Sequence, residues 1–395
     1  MHFPRAQSEP SSLDYLFEFE TCCLAALSIQ ADLWAMDSTL EWFGTTTFRL
    51  RTKGLTIFLD TWLERPSVLP QYLSLNEVRE ADYIIISHAH FDQCVSQLLR
   101  YAMTAADTNS LPGADLIALK TGAIVIANGE AINVLRSAGV PDEQLVPVAG
   151  GERVPLFSQE VRNQADRGEG VLADGPPAAP RKPHHSRATM SVHVWPSLHC
   201  LMPGLVHADV PEIMDTGKPY IGAASQYACT LDITFGMKHG LLRMGDLMPR
   251  NAMNDGMRSF VDYVADTRRH RFSNFDGGQL AFNFLIDDKA LLWNAHLGGY
   301  EGILRSLEPK PDVLIQAIAG RANLNGRPFD GSAAEFAVDV CKWLGEPSKV
   351  IWCLHDDSPI KPFRVDVEPA TDLVQERTSS RVFDLRPAIL HSVFR

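Results

Sequence analysis

The chain contains the apolar run "DYIIIS" at residues 82–87, and the next residues read "HAHFDQ". A short, nearly continuous apolar run is typical of a strand that is covered on both faces. Alternate residues of an extended segment share a face, so His88 and His90 can point two imidazoles at one place. Asp92 adds a carboxylate close by. The stretch therefore predicts a buried strand that ends in potential metal ligands.

Two further histidines also follow apolar runs. His199 ends "VHVWPSLH", and His355 ends "KVIWCLH". A loop follows each of them, which places both side chains at the edge of a sheet. With the pair at 88 and 90, they predict one metal site built from distant strand ends.

Periodicity elsewhere in the chain predicts alternating strands and helices. Residues 39–62 read as three short strands, with a turn at Lys53 before the third. Helical spacing is found over 91–103 and 129–137, and Asp287 marks a hairpin turn between two later strands. Strands and helices that alternate in this way predict an α/β fold.

The same pattern divides the chain into segments. Residues 1–38 are rich in helix formers and predict an amino-terminal helical extension that docks on the domain or on a partner. One domain is expected over 39–395. Within it, 158–190 is rich in proline, glycine and charge and predicts a flexible insertion. Residues 201–278 are mixed in character and predict either a lid or substrate wall or a merely structural excursion.

Composition limits the classes of function. The chain has 395 residues, 45% hydrophobic residues and a formal net charge of −12, which argues against nucleic-acid binding and favours a small-molecule substrate. No unbroken apolar run reaches the ~18 residues of a membrane span. The 7 cysteines include no CxxC pair and are typical of reduced thiols, so a cytoplasmic location is expected. Nothing in the sequence indicates the oligomeric state.

Several stretches together resemble a known family. "SHAHFD", "TGAIVIANGEAINVLRSAGVP", "VAGGERVPL", "WPSLH", "PDVLIQAIAGRANLNGRPFDG" and "LHDD" look like the metallo-β-lactamase-fold hydrolases. The branch is similar to the ascorbate-6-phosphate lactonase-like and phospholipase-D-like members. The likeness covers 39–357, loosely over 201–278 and without the polar insertion. It implies a four-layer αββα sandwich with metal at one edge of its two sheets.

The resemblance also implies roles for individual residues. His88, His90 and His199 would hold a first metal ion, and Asp92 and His355 would belong to a second. Catalysis is assigned to the same Asp92 and His355. Other side chains expected near the site without a settled ligand role are Asp60, which would buttress the histidine loop, Gln93, His296 and Asp356.

The chain departs from the family pattern at two places. Gln93 stands where the family motif has a histidine, and an amide is a poorer ligand than imidazole for zinc-like ions. After "LLWNAHLGG" the family has a bridging aspartate, but here the nearest residues include Asn294 and His296. Asp246 in "MGDL" is a rival that lacks the expected following strand. These changes predict one firmly bound ion and a second that is weak or absent.

Zinc is the default ion, with iron and manganese left open. The expected activity is metal-dependent hydrolysis of an ester-like bond, which includes lactones, thioesters and phosphoesters. One alternative is a lyase, isomerase or cyclase of specialised metabolism on the same fold. A second is a binding protein with a degenerate metal site.

Overall fold

The computed structural model describes residues 38–90, 113–202, 209–220, 231–267, 270 and 272–395. The predicted helix over 91–103 and the extension over 1–37 lie outside these residues, as do Asp92 and Gln93.

The strands within the described residues are short and are numbered in chain order. They are β1 (Thr39–Trp42), β2 (Phe48–Thr52), β3 (Leu55–Leu59), β4 (Tyr83–Ile85), β5 (Ile124–Ala127), β6 (Leu145–Pro147), β7 (Arg153–Leu156), β8 (Met190–Pro196), β9 (Ile213–Asp215), β10 (Leu280–Ile286), β11 (Lys289–Asn294), β12 (Gly298–Gly299), β13 (Val313–Ala317), β14 (Asn323–Leu324), β15 (Arg327–Pro328), β16 (Lys349–Cys353), β17 (Arg364–Asp366), β18 (Arg381–Phe383) and β19 (Leu390–Ser392).

The α-helices of the same residues are numbered likewise. They are α1 (Ala114–Thr121), α2 (Gly129–Ser137), α3 (Gln159–Asp166), α4 (Leu231–His239), α5 (Met244–Leu247), α6 (Asp255–Ala265), α7 (Glu301–Ser306), α8 (Ala333–Trp343) and α9 (Glu368–Arg377).

Two large sheets form the centre of the molecule. Each has seven strands, in the orders β19-β1-β2-β3-β4-β5-β6 and β18-β16-β13-β11-β10-β8-β7. In the first sheet β3 to β6 are parallel, and in the second β11, β13, β16 and β18 are parallel. Because parallel strands end at the same edge, the loops that follow β4, β11 and β16 are brought to sheet edges.

The buried side chains form three apolar layers. The central layer lies between the sheets and includes Ile57 of β3 and Trp293 of β11. The outer face of the first sheet packs on α1 and α2, where Phe58 is buried. The outer face of the second packs on α7, α8 and α9, where Trp352 is buried. Successive residues such as Ile57 and Phe58 therefore enter different layers, as the period of a strand requires. The predicted αββα sandwich is confirmed.

The structure agrees with the local predictions for two turns and one strand. The turn before β3 has positive φ at Lys53 and Gly54, as a tight hairpin with right-handed twist requires. Asp287 also has positive φ in the turn between β10 and β11, so the predicted hairpin is confirmed. The run 82–87 forms β4, whose Ile84 and Ile85 face different apolar layers.

The insertion over 158–190 begins with a helix that its composition did not predict. Ser158 caps α3 by accepting a hydrogen bond from the backbone of Val161. Arg162 anchors the helix, because its guanidinium lies 5.1 Å from the ring of Tyr83 and donates to Phe157 O at 2.7 Å. The flexibility of the remainder of the segment stays a prediction.

A membrane-spanning helix is not found in the described part of the chain, where no helix combines the needed length with the needed apolar character.

We predict that Ser332→Ala lowers the free energy of unfolding by about 1 kcal/mol. Ser332 caps α8 in a reciprocal capping box with Glu335, and α8 is buried along much of its length. The measurement is urea unfolding. Ser158→Ala is the matched control, because α3 buries only Ala165 and can fray without unfolding the sheets. An equal loss in both variants would contradict this difference in coupling to the core.

Candidate metal centre

The loop after β4 is held to both sheets by its backbone. The Ser87 N–H donates to Asp60 Oδ1 at 2.9 Å, on the side of the first sheet. On the other side, the Leu280 N–H donates to Ser87 O at 3.1 Å, and the Ala89 N–H donates to Asp276 O at 3.0 Å. These bonds fix the direction of the two histidine side chains that the loop carries.

Asp60 and Ser87 also orient the ring of His88. The Ser87 hydroxyl donates to Asp60 Oδ2 at 2.9 Å and lies 3.0 Å from His88 Nδ1. Since that hydroxyl proton is used on the carboxylate, the His88 Nδ1–H is the donor to Ser87 Oγ. The lone pair of His88 is therefore on Nε2. A carboxylate that fixes a tautomer in this way is a usual support of a metal-binding imidazole.

His199 follows β8 and is oriented in the same manner. Its Nδ1–H donates to Cys200 O at 2.8 Å, which leaves the lone pair on Nε2. The side chain of Asn323 donates to His199 O at 2.8 Å and holds the loop.

His296 follows β11 and lies beside His199. A Cβ at Gly298 would lie 2.3 Å from Leu198 O, so this loop needs glycine for the close approach of the two segments. The rings of His199 and His296 consequently stack, with centroids 3.6 Å apart. The sequence marked His296 only as an uncertain neighbour of the site, although its place after an apolar strand is the same signal that identified His199.

Three histidines bring their nitrogens closest together. One ligand atom from each of His88, His199 and His296 lies within 4.8 Å of the others, and the described residues hold no other such group of His, Cys, Asp or Glu. His88 Nε2 and His296 Nε2 lie 3.4 Å apart. His90 joins the side of this group, with its ring centroid 4.7 Å from that of His88 and 5.1 Å from that of His199.

Burial controls the charge of the cluster. Desolvation lowers the pKa of His88 and of His296 well below the usual value, and the neighbouring imidazoles lower both further. Desolvation, followed by the proximity of His199, does the same to the pKa of His90. Desolvation also lowers the pKa of His199, although its hydrogen bond to Cys200 opposes the shift. All four imidazoles are therefore neutral near pH 7, which is the state that binds a cation.

The histidines fit a zinc-like ion in several respects. Two nitrogens that bind one tetrahedral ion at ~2.0–2.1 Å are themselves roughly 3.4 Å apart, which is the separation of the His88 and His296 Nε2 atoms. Within the described residues, His90 Nε2 is buried without a hydrogen-bond partner. Buried nitrogens without partners are costly unless something binds them, so the donor set suits a cation.

His355 and Asp356 lie at the end of β16 with different partners. The His355 ring stacks on Trp42 at 4.8 Å, and its Nε2 lies 2.8 Å from Asp384 Oδ1. It is not a member of the group formed by His88, His199 and His296. Asp356 accepts hydrogen bonds from the Thr45 N–H at 2.8 Å and from Arg65 Nη2 at 2.5 Å.

The remaining residues that the sequence analysis singled out are not part of the histidine cluster in the described structure. Asp246 is exposed and pairs with Arg243 at 3.0 Å, so it lacks the burial of the clustered histidines. Asp92 and Gln93 lie outside the described residues, so their expected roles stay predictions. His199 also lines a cavity of about 280 Å³ together with Cys200 and Leu201.

An αββα sandwich with histidines gathered at the edge of its sheets defines the class of metallo-β-lactamase-fold proteins. Residues 39–153 match the family described as the beta-lactamase superfamily domain. The predicted resemblance to this superfamily is thus confirmed over that part of the chain.

Curated relatives support the same assignment over a limited region. A UPF0173 metal-dependent hydrolase of Anaeromyxobacter dehalogenans is 31% identical over 106 residues, which are 27% of this chain and 32% of that protein. A second UPF0173 metal-dependent hydrolase, from Anaeromyxobacter sp. (strain K), is 30% identical over 106 residues, again 27% of this chain and 32% of that protein. The chain thus spans about a third of the length of the curated relatives it matches.

Solved structures give weaker likenesses. A metallo hydrolase from the hyperthermophilic archaeon Ignicoccus hospitalis has a TM-score of 0.46 and 15% identity, covering 90% of this chain and 98% of that one. An isothiocyanate hydrolase from Delia radicum gut bacteria has a TM-score of 0.44 and 10% identity, with coverage of 90% and 98%. Scores of this size carry no functional argument.

We predict that Asp60→Ala lowers the free energy of unfolding by about 3 kcal/mol or more. The Asp60 carboxylate is fully buried and accepts hydrogen bonds from Thr46 and Ser87, whose donors would lose their partner. Metal affinity should also fall about 10- to 100-fold, because the ring of His88 loses its support. Urea unfolding and metal titration measure the two effects.

Asp287→Ala is the matched control for the variant at position 60. Both aspartates have positive φ, but Asp287 lies on an exposed hairpin turn and pairs with Lys53 at the surface. Its replacement should cost about 1 kcal/mol at most and leave metal affinity as it is. Equal effects at both positions would refute a structural role for the buried carboxylate.

We predict that the metal-free protein loses stability as the pH falls below about 6.5. The unfolded imidazoles take up protons there, but the folded ones, whose pKa values are lowered by burial, do not. His296→Gln removes one such group and should flatten the slope by up to about 1.4 kcal/mol per pH unit. Urea unfolding in chelator at several pH values measures the slope. An unchanged or steeper slope for His296→Gln would contradict the prediction.

Proposed function

We propose that the protein is a metal-dependent hydrolase that acts on an ester-like bond of a small organic molecule. The observation that supports this most is the meeting of four buried imidazoles, from His88, His90, His199 and His296, beside a cavity. They come from three separate strand ends in two sheets, and such a grouping of costly buried nitrogens has no evident role in folding.

Three protein ligands leave a further coordination position open, which is the pattern of catalytic rather than structural zinc sites. In this proposal His88, His199 and His296 hold the ion, and His90 is the fourth nitrogen beside them. When bound, a zinc-like ion would lower the pKa of a water molecule towards ~7 and supply hydroxide at neutral pH.

The chain's own groups would handle substrate and protons. His199 lines the cavity as well as the cluster, so a molecule in the cavity lies next to the imidazoles. Asp92, two residues beyond His90 in sequence, is proposed as the general base that orients the attacking water. His355, whose Nε2 lies 2.8 Å from Asp384 Oδ1, is proposed to keep the catalytic role that the resemblance implies.

Nitrogen ligands in this number suit zinc, and they also suit iron. Zinc is proposed because the cluster is all imidazole and hydrolysis needs no change of redox state. A cytoplasmic location is proposed on the thiols, since Cys200, Cys341 and Cys353 are all free in the described structure.

We predict that the purified protein holds one firmly bound ion per chain and that His296→Ala removes it. The variant should also lower kcat/KM on an ester substrate at least about 100-fold, because one of three ligands is lost. Elemental analysis gives the metal content, and product analysis in heavy-oxygen water identifies hydrolysis by the oxygen that enters the product.

His193→Gln is the control for this variant. His193 is also a buried histidine, but it lies on β8 away from the cluster, and the variant should keep both metal and activity. An unchanged ion content in His296→Ala would refute its place as a ligand. An isomeric product without solvent oxygen would replace hydrolysis by lyase or isomerase chemistry.

A further inference from the structure

The cavity beside His199 has walls that select a particular kind of molecule. Its volume is about 280 Å³. Its described lining residues come from the loops after β1 and β3, from 199–202 and β9, from α4 and α6, from the loop after β13, and from β17 and the segment before it.

The walls are mainly apolar and partly adaptable. Ile233 and Met237 of α4 are buried against Leu201, so the helix forms a fixed side of the cavity. Met202 is 41% exposed and lies at the solvent side. Thioether side chains are flexible and polarizable and adjust to the shape of an apolar ligand.

The charged groups of the lining do not favour an anion. Asp356 is paired with Arg65, whose side chain is 2% exposed and lies 4.9 Å from the ring of Trp62. The charge of this guanidinium is therefore neutralised by Asp356, although its Nε is buried without a hydrogen-bond partner among the described residues. Asp357 and Lys361 are the remaining charged residues of the described lining, so it holds no basic cluster of the kind that binds phosphate. Burying a phosphate among methionine and isoleucine side chains would be costly.

The volume sets the size of the ligand. An apolar cavity of about 150 Å³ holds benzene, which has six heavy atoms. By this measure, a cavity of about 280 Å³ holds a ligand of roughly a dozen heavy atoms.

We propose that this cavity binds an uncharged apolar group of roughly a dozen heavy atoms, the acyl or alkyl side of the substrate. Only the statement that this group is part of a substrate rests on the proposed function. The other end of the substrate would lie at His199, next to the cluster of imidazoles. Phosphorylated substrates are disfavoured.

Calorimetric binding to the metal-free protein tests the proposal without any activity. The probes are the normal alcohols from butanol to dodecanol, with octyl phosphate as the anionic partner of octanol. Affinity should rise up to about fourfold per added CH₂ group and stop rising near a dozen heavy atoms. Octanol should bind at least about tenfold more tightly than octyl phosphate. Absent binding, affinity that does not depend on chain length, or a preference for octyl phosphate would each overturn the proposal.

Two variants and one control variant locate the binding. Met237→Trp fills the cavity and should weaken octanol binding at least about tenfold, whereas Met248→Trp, outside the described lining, should not change it. Asp357→Lys adds positive charge without filling the cavity, and it should narrow the preference for octanol over octyl phosphate. This second variant keeps the test valid if Met237→Trp fails to fold. Equal octanol affinity in both tryptophan variants, or an unaltered preference in Asp357→Lys, would place the binding elsewhere and overturn the proposal.

The metal-loaded protein separates this inference from the proposed function. Alcohol binding with the expected pattern but without ester hydrolysis would refute the hydrolase and support the apolar cavity. Hydrolysis that prefers short or phosphorylated substrates would support the hydrolase and refute the cavity's selectivity.

Discussion

The site depends on one buried carboxylate. Asp60 directly follows β3, and its oxygens accept hydrogen bonds from Ser87 in the loop after β4 and from the Thr46 hydroxyl. A charged group away from water is tolerated only when hydrogen bonds satisfy it. Here those bonds also fix the position of the loop and the tautomer of His88. The hydrogen bonds that make the burial of Asp60 tolerable therefore also hold the ring of His88 in place.

Much of the fold follows from local sequence patterns. The apolar run at 82–87 forms a strand whose Ile84 and Ile85 enter different layers, because a strand's period of two requires it. The turns at Lys53 and Asp287 were predictable since their neighbours alternate as strands do. Helix α3 was not predicted, because a serine cap and one arginine contact with Tyr83 outweigh a poor composition.

The site was predicted less completely than the fold. His88, His90 and His199 lie together, yet His296 was ranked below His355, and only His296 belongs to the closest group. A histidine after an apolar strand signals a sheet edge, but it does not say which loops at that edge touch. Contact between the loops of His199 and His296 depends on Gly298, whose missing side chain allows a backbone approach that no periodicity reveals.

Burial links the metal centre with the cavity. Removal from water lowers the pKa of His88 and His296, so both imidazoles are neutral at neutral pH and each keeps one nitrogen lone pair for a cation. The same exclusion of water makes the wall at Ile233 and Met237 favourable for an apolar group. Because His199 belongs to both regions, a ligand that fills the cavity would also keep water from the imidazoles and strengthen their electrostatic interactions. An apolar substrate would in this way assist the chemistry at its other end, which a small polar substrate of the same reactive bond could not do.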